Sequence, residues 1–185
     1  VSVEDVRFYT HPGVDIVGIV RAMWHDLKAG SVVEGGSTIT QQLARMLFLK
    51  PEKSLQRKLK EAALSIKIEQ RYTKDEILGM YLNQAYFGTR AYGIEAASET
   101  YFGKPAKDLT IAEAALLASM PKAPSVYSPF KNPDKAKDRR AFVLKQMNDN
   151  KFITEAQYRA AENAPMPSIP HLRKYDAPYF IETLR

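Results

Sequence analysis

Residues 35–42 read GGSTITQQ, and the passage from loop to helix in these eight residues organises the rest of the chain. Paired Gly35 and Gly36 let the backbone come close to a ligand, which side chains with a Cβ hinder. Ser37 and Thr38 stand where a helix begins, and the free N–H groups of a helix start attract anions. Gln41 and Gln42 add amide donors and acceptors suited to sugar hydroxyls. The helix that follows is expected to run for about ten residues, through Leu49. Simple N-capping accounts for one hydroxyl but not for paired glycines and paired glutamines together. No G-K-[ST] follows, so this is not a nucleotide P-loop.

Outward from this stretch the chain reads as helix after helix, and the fold class is mainly α. On the N-terminal side, VDIVGIVRAMWHDLKAG (14–30) places Ile16, Val20, Met23 and Leu27 on one stripe, with Gly30 as C-cap. On the C-terminal side, a helix from Ser54 to about Tyr72 aligns Leu55, Leu59, Ala62 and Ile66. Thr73 with Glu76, Thr110 with Glu113 and Thr154 with Gln157 read as capping boxes opening further helices. The first of these is expected to reach Phe87-Gly88. A shorter helix ends at Gly103, and Pro133 at N1 opens one that runs to about Asn148. Strand signals amount to one short hairpin. Residues 1–164 read as one domain, and 165–185 as a Pro-rich linker with the start of a following segment.

The charge is unevenly placed. Net charge is +6, and residues 45–74 hold nine Lys/Arg against three acids, so that segment carries the whole excess. A local positive field implies an anionic partner. Arg57, Lys58 and Glu61 (RKLKE, 57–61) put two cations beside one carboxylate on a helix face. An isolated R-K-x-x-E is usually a surface ion pair worth ~0–1 kcal/mol, but the flanking cations exceed what one glutamate needs. The chain has no cysteine, which excludes disulfides and thiolate metal sites. His11, His25 and His171 lack metal-ligand spacing. No apolar run of bilayer length is present. Near the N-terminus, EDVRFYTHPG (4–13) sets two adjacent carboxylates before the first helix.

Taken together these segments resemble the peptidoglycan glycosyltransferase domain (glycosyltransferase family 51) of class A penicillin-binding proteins and monofunctional transglycosylases. EDVRFYTHPG is similar to E-D-x-x-F-x-x-H-x-G, GGSTITQQ to the second motif letter for letter, and RKLKE to R-K-x-x-E. ILGMYLNQAYFG (77–88) and EAALLASMPKAPS (113–125) resemble the fourth and fifth motifs, in the same order. The resemblance implies a lysozyme-like helical fold with a larger lobe and a smaller, membrane-facing one. It implies polymerisation of lipid II into β-1,4-linked glycan with inversion, with Glu4 as general base and Glu61 as second essential carboxylate. Arg57 and Lys58 would contact the lipid-linked phosphates. Asp5, Ser37, Thr38, Gln41, Gln42, Arg45, Asn83 and Glu113 join the expected binding residues.

Two departures stand out: LARM (43–46) where the family commonly has L-A-K-N, and FGTR (87–90) where F-G-S-G is usual. Arg45 keeps the charge but can grip phosphate bidentately.

The chemistry agrees with the residue types. A lipid pyrophosphate already leaves readily, so the site needs charge neutralisation more than a strong acid. Lys, Arg or a divalent cation (Mg2+ or Mn2+) can supply it; Glu61 is the candidate metal ligand, and no organic cofactor is expected. The acceptor hydroxyl needs a base. Expected partners are lipid II, the growing glycan chain, the membrane surface and moenomycin-type inhibitors, without nucleic acid. The expected location is the outer face of the bacterial cytoplasmic membrane, with an upstream transmembrane anchor outside this chain. A muramidase or lytic transglycosylase is the alternative enzyme, but it has no use for a phosphate-binding cluster. A nucleic-acid-binding helical module would leave the Gly-Gly-Ser-Thr stretch unexplained.

Overall fold

Residues 111–119 read IAEAALLAS, apolar on nearly every side, and such a helix must lie inside a protein. In the computed structural model, which describes residues 1–20, 36–50, 52 and 54–171, this helix is the central post. The elements in chain order are α1 (16–20), α2 (Ile39–Phe48), α3 (Leu55–Glu69), α4 (Lys74–Gln84), α5 (Ile94–Phe102), a 3-10 turn (Ala106–Asp108), α6 (Ile111–Ser119), α7 (Pro133–Asp149) and α8 (Glu155–Glu162). Leu116 and Leu117 of α6 face one core with Phe8, Ile39, Leu43, Ile77, Phe87 and Tyr101. Ala112 and Ala115 face a second, with Val143, Leu144 and Ile153. The protein is mainly helical, as expected. Among the described residues no helix is long and apolar enough to cross a membrane.

The local rules act as read. All three predicted capping boxes form, at Thr73–Glu76, Thr110–Glu113 and Thr154–Gln157. Pro133 opens α7, and Gly103 closes α5 at φ 67°, the left-handed conformation that favours glycine. Met23, Leu27 and Gly30 lie outside the described residues.

Two expectations are corrected. α4 stops at Gln84, short of Phe87-Gly88, because Ala85 turns extended (φ −61°, ψ 140°). The chain then makes the one expected hairpin, through an antiparallel bridge between Tyr86 and Tyr92. Its tip holds Gly88, Thr89 and Arg90 at φ 83°, 49° and 60°.

The second correction concerns α3. Its aligned leucines face outward: Leu55 is 85% exposed and Leu59 74%, while Glu61 and Ser65 are fully buried. Leu64 and Ile68 still pack on the core, so α3 carries apolar residues on both faces. The stripe on α1 also faces outward, with Ile16 and Val20 exposed, and so does the end of α2 at Met46, Leu47 and Phe48.

Candidate active site

The two adjacent carboxylates of the first motif point to different tasks. Asp5 is buried and accepts from two donors: the Ile39 backbone N–H at the start of α2 (3.0 Å to Oδ2) and the single His11 Nε2–H, shared between Oδ1 and Oδ2 (3.0 and 2.9 Å). His11 Nδ1 accepts the Gly13 N–H at 3.2 Å, so the ring proton sits on Nε2 and is donated to Asp5. The anion at a helix start matches the helix dipole. Asp5 is thus the clasp that fixes the N-terminal segment on α2, and it leaves Glu4 turned toward Gln42, whose Nε2 donates to Glu4 Oε2 at 3.2 Å.

The second motif divides in the same way. Thr38 and Gln41 are buried and spend themselves on the N-terminus of α2. Thr38 Oγ1 accepts from the Gln41 backbone N–H (3.1 Å), and Gln41 Oε1 accepts from the Thr38 backbone N–H (3.0 Å). Thr38 Oγ1 also donates to the Gly13 carbonyl at 2.6 Å. Ser37 and Gln42 remain for the site: Ser37 Oγ accepts from Lys58 Nζ at 2.6 Å, and Gln42 meets Glu4.

The third motif forms the cationic half. Glu61 has no exposed surface. Its Oε1 pairs with Arg57 one helical turn away, and Arg45 Nη1 lies 4.0 Å from the same oxygen. Its Oε2 accepts from Lys58 Nζ at 2.9 Å. Arg57 is further held by donating through Nε to the Glu52 carbonyl. Removing a carboxylate from water is costly unless it is paired and hydrogen-bonded, and three cations from two helices meet that requirement. Glu61 thus shares the inner face of α3 with Leu64, Ser65 and Ile68, while Leu55 and Leu59 lie on its outer face.

One helix joins the halves. Gln42 and Arg45 stand three residues apart on α2, hence neighbours on one face. Gln42 contacts Glu4, and Arg45 approaches Glu61. Tyr81 of α4 closes the arrangement, its O–H donating to Gln42 Oε1 at 3.4 Å. Burial, then the Glu4 carboxylate, push its phenol well above the usual range, with Arg45 opposing.

Beneath this lies a polar layer that the sequence reading did not single out. Thr40 Oγ1 donates to Glu69 Oε1 (2.6 Å), which also takes Lys74 Nζ (2.7 Å), and Lys74 Nζ reaches the His11 carbonyl (2.6 Å). Gly13, at φ 96°, packs so tightly on Ser65 that a Cβ would meet its backbone at 2.9 Å.

Two expected residues stand apart. Asn83 is exposed near the end of α4. Glu113 serves the α6 cap and pairs with Lys104 at 2.6 Å. Among the described contacts neither touches Glu4 or Glu61. Tyr81 is a site residue that the sequence reading did not single out; the signal that could have found it is that a buried tyrosine hydroxyl needs a partner. Among the described residues, no group of three or more His, Asp or Glu stands together as a metal site. The groups around Glu61 are cations, which do not fit a divalent ion.

Residues 1–148 match the Transglycosylase family, and the chain belongs to that family. It is 49% identical over its whole length to penicillin-binding protein 1A of Aquifex aeolicus, and 48% to penicillin-binding protein 1A of Escherichia coli. It spans 26% and 22% of those proteins, about a quarter of their length. The crystal structure of penicillin-binding protein 1A from Haemophilus influenzae is similar over 80% of this chain and 18% of that one, with a TM-score of 0.52 and 34% identity.

Proposed function

We propose that this domain is a peptidoglycan glycosyltransferase that polymerises lipid II with inversion at the anomeric carbon. The observation that carries the reading is the pairing along α2 of a carboxylate held by one amide, Glu4 on Gln42, with a triad of cations gathered on Glu61. Membership of the transglycosylase family and the names of its relatives point to the same reaction class.

In this reading Glu4 takes the proton from the acceptor sugar hydroxyl as its oxygen attacks the anomeric carbon. The bond from that carbon to the lipid pyrophosphate breaks on the opposite face, which inverts the centre. The electron pair leaves with the pyrophosphate, whose growing charge falls to Arg45, Arg57 and Lys58. Glu61 has both oxygens engaged by cations, so its task is to gather and aim them. Ser37 fixes Lys58 from the other side.

The growing glycan and lipid II are the substrates, and moenomycin-type inhibitors would compete at the cationic half. The exposed apolar residues of α1, α2 and α3 are suited to the outer surface of a bacterial cytoplasmic membrane, where a lipid-linked substrate resides.

The test is to supply the protein with lipid II and, separately, with preformed glycan strands. Chain elongation from lipid II with no cleavage of glycan is expected. Cleavage of strands without elongation would replace this reading with the muramidase or lytic one.

A further inference from the structure

We propose that Tyr81 is a positioning residue for Glu4, acting by setting the orientation of the Gln42 side-chain amide. The inference rests on the reading of Glu4 as the base. A glutamine amide has a donor end and an acceptor end of nearly equal shape, and its neighbours decide which points where. Among the described residues, the Gln42 side chain bonds on one side to the Tyr81 hydroxyl and on the other to Glu4 Oε2.

Tyr81 is buried, and its surroundings keep the phenol protonated, so it has a hydrogen to give. Giving it to Oε1 at 3.4 Å leaves Nε2 to face the carboxylate at 3.2 Å. The reverse orientation would set an amide oxygen against a carboxylate oxygen, two acceptors with no proton between them. The chain Tyr81, Gln42, Glu4 is thus consistent in one polarity only, and that polarity turns the amide N–H toward the carboxylate and holds it in place.

The groups acting around Glu4 come from three elements. The N-terminal segment contributes Asp5, which is turned to His11 and Ile39. α2 contributes Gln42 and, one turn on, Arg45; α4 contributes Tyr81. Apart from Glu4 itself, none of the charged ones bonds to Gln42, so the tyrosine is the second group that steers the amide.

Tyr81→Phe keeps the ring in its core and deletes the donor. The kcat for polymerisation of lipid II should fall roughly tenfold, as expected when a reacting group is displaced from its place. KM should change little, and the thermal midpoint should stay near that of the parent. Gln42→Met should give a similar loss in kcat. The double variant should be no worse than the more affected single one, because both remove one link. An unchanged kcat in Tyr81→Phe, or additive effects in the double variant, would overturn the proposal.

Glu4→Gln separates the two ideas. If it stays fully active, the base assignment fails. The amide proposal is then judged by the 15N side-chain resonances of Gln42, which Tyr81→Phe should shift and which would stay unchanged if the proposal is wrong.

Discussion

Lys58 Nζ lies 2.6 Å from Ser37 Oγ and 2.9 Å from Glu61 Oε2, so one ammonium ties the loop before α2 to the buried carboxylate of α3. Lys58 is nonetheless 43% exposed, with room to meet a substrate anion. Lys58→Met is therefore expected to cost activity and not stability. Polymerisation should fall by roughly 10²–10³-fold, as for loss of one electrostatic group in a site. The urea midpoint should shift little, since Lys58 itself reaches solvent and the buried Glu61 keeps its pairing with Arg57. Ser37→Ala should give a smaller loss of the same kind, because it removes only a tether.

Glu61 behaves differently because it is wholly buried. Glu61→Gln keeps the shape but leaves Arg45, Arg57 and Lys58 crowded with no countercharge. The expected destabilisation is roughly 2–3 kcal/mol, toward the low end for a broken buried pair because the cations reach water. Equilibrium unfolding in urea measures it, and activity should drop as well.

The outward leucines of α3 predict a surface effect. Leu55→Asp with Leu59→Asp should leave the unfolding midpoint within about 0.5 kcal/mol, since neither side chain is buried. Sedimentation with anionic vesicles should show weaker binding, by on the order of tenfold, as apolar contact area is lost. Unchanged vesicle binding would remove α3 from the membrane-facing surface.

Arg90 sits at φ 60° in the hairpin tip, at a place where the family commonly has glycine. A residue with a Cβ is strained there by roughly 1–2 kcal/mol. Arg90→Gly is expected to raise stability by about 0.5–1 kcal/mol once the added freedom of glycine in the unfolded chain is subtracted. Thermal unfolding checks the sign.

Much of this fold is written locally. Three capping boxes, Pro133 and Gly103 each act within a few residues, and each stands where its chemistry places it. The polarity of α3 is not local. The spacing of Leu55, Leu59 and Ile66 reveals a stripe, but whether that stripe faces core or solvent depends on Arg45, contributed by another helix, and on how Glu61 is paired. The division between Asp5 and Glu4 is hidden for a similar reason: adjacent carboxylates look alike until the start of α2 and His11 claim one. The tail shows the same limit. Read as a Pro-rich linker from 165, it lies against the body as far as His171. The Arg140 guanidinium holds the carbonyls of Glu162, Ala164 and Pro165, and the His171 N–H meets the Thr100 carbonyl at 2.8 Å.

The central claim is that Glu4 is the proton acceptor while Arg45, Arg57 and Lys58 receive the leaving group. Single-turnover polymerisation of lipid II by Glu4→Gln tests it most directly. The account predicts at least a roughly 10²-fold slower chemical step, as for loss of a general base, with lipid II still bound through the intact cations. A Glu4→Gln variant that elongates glycan at the parent rate would contradict it.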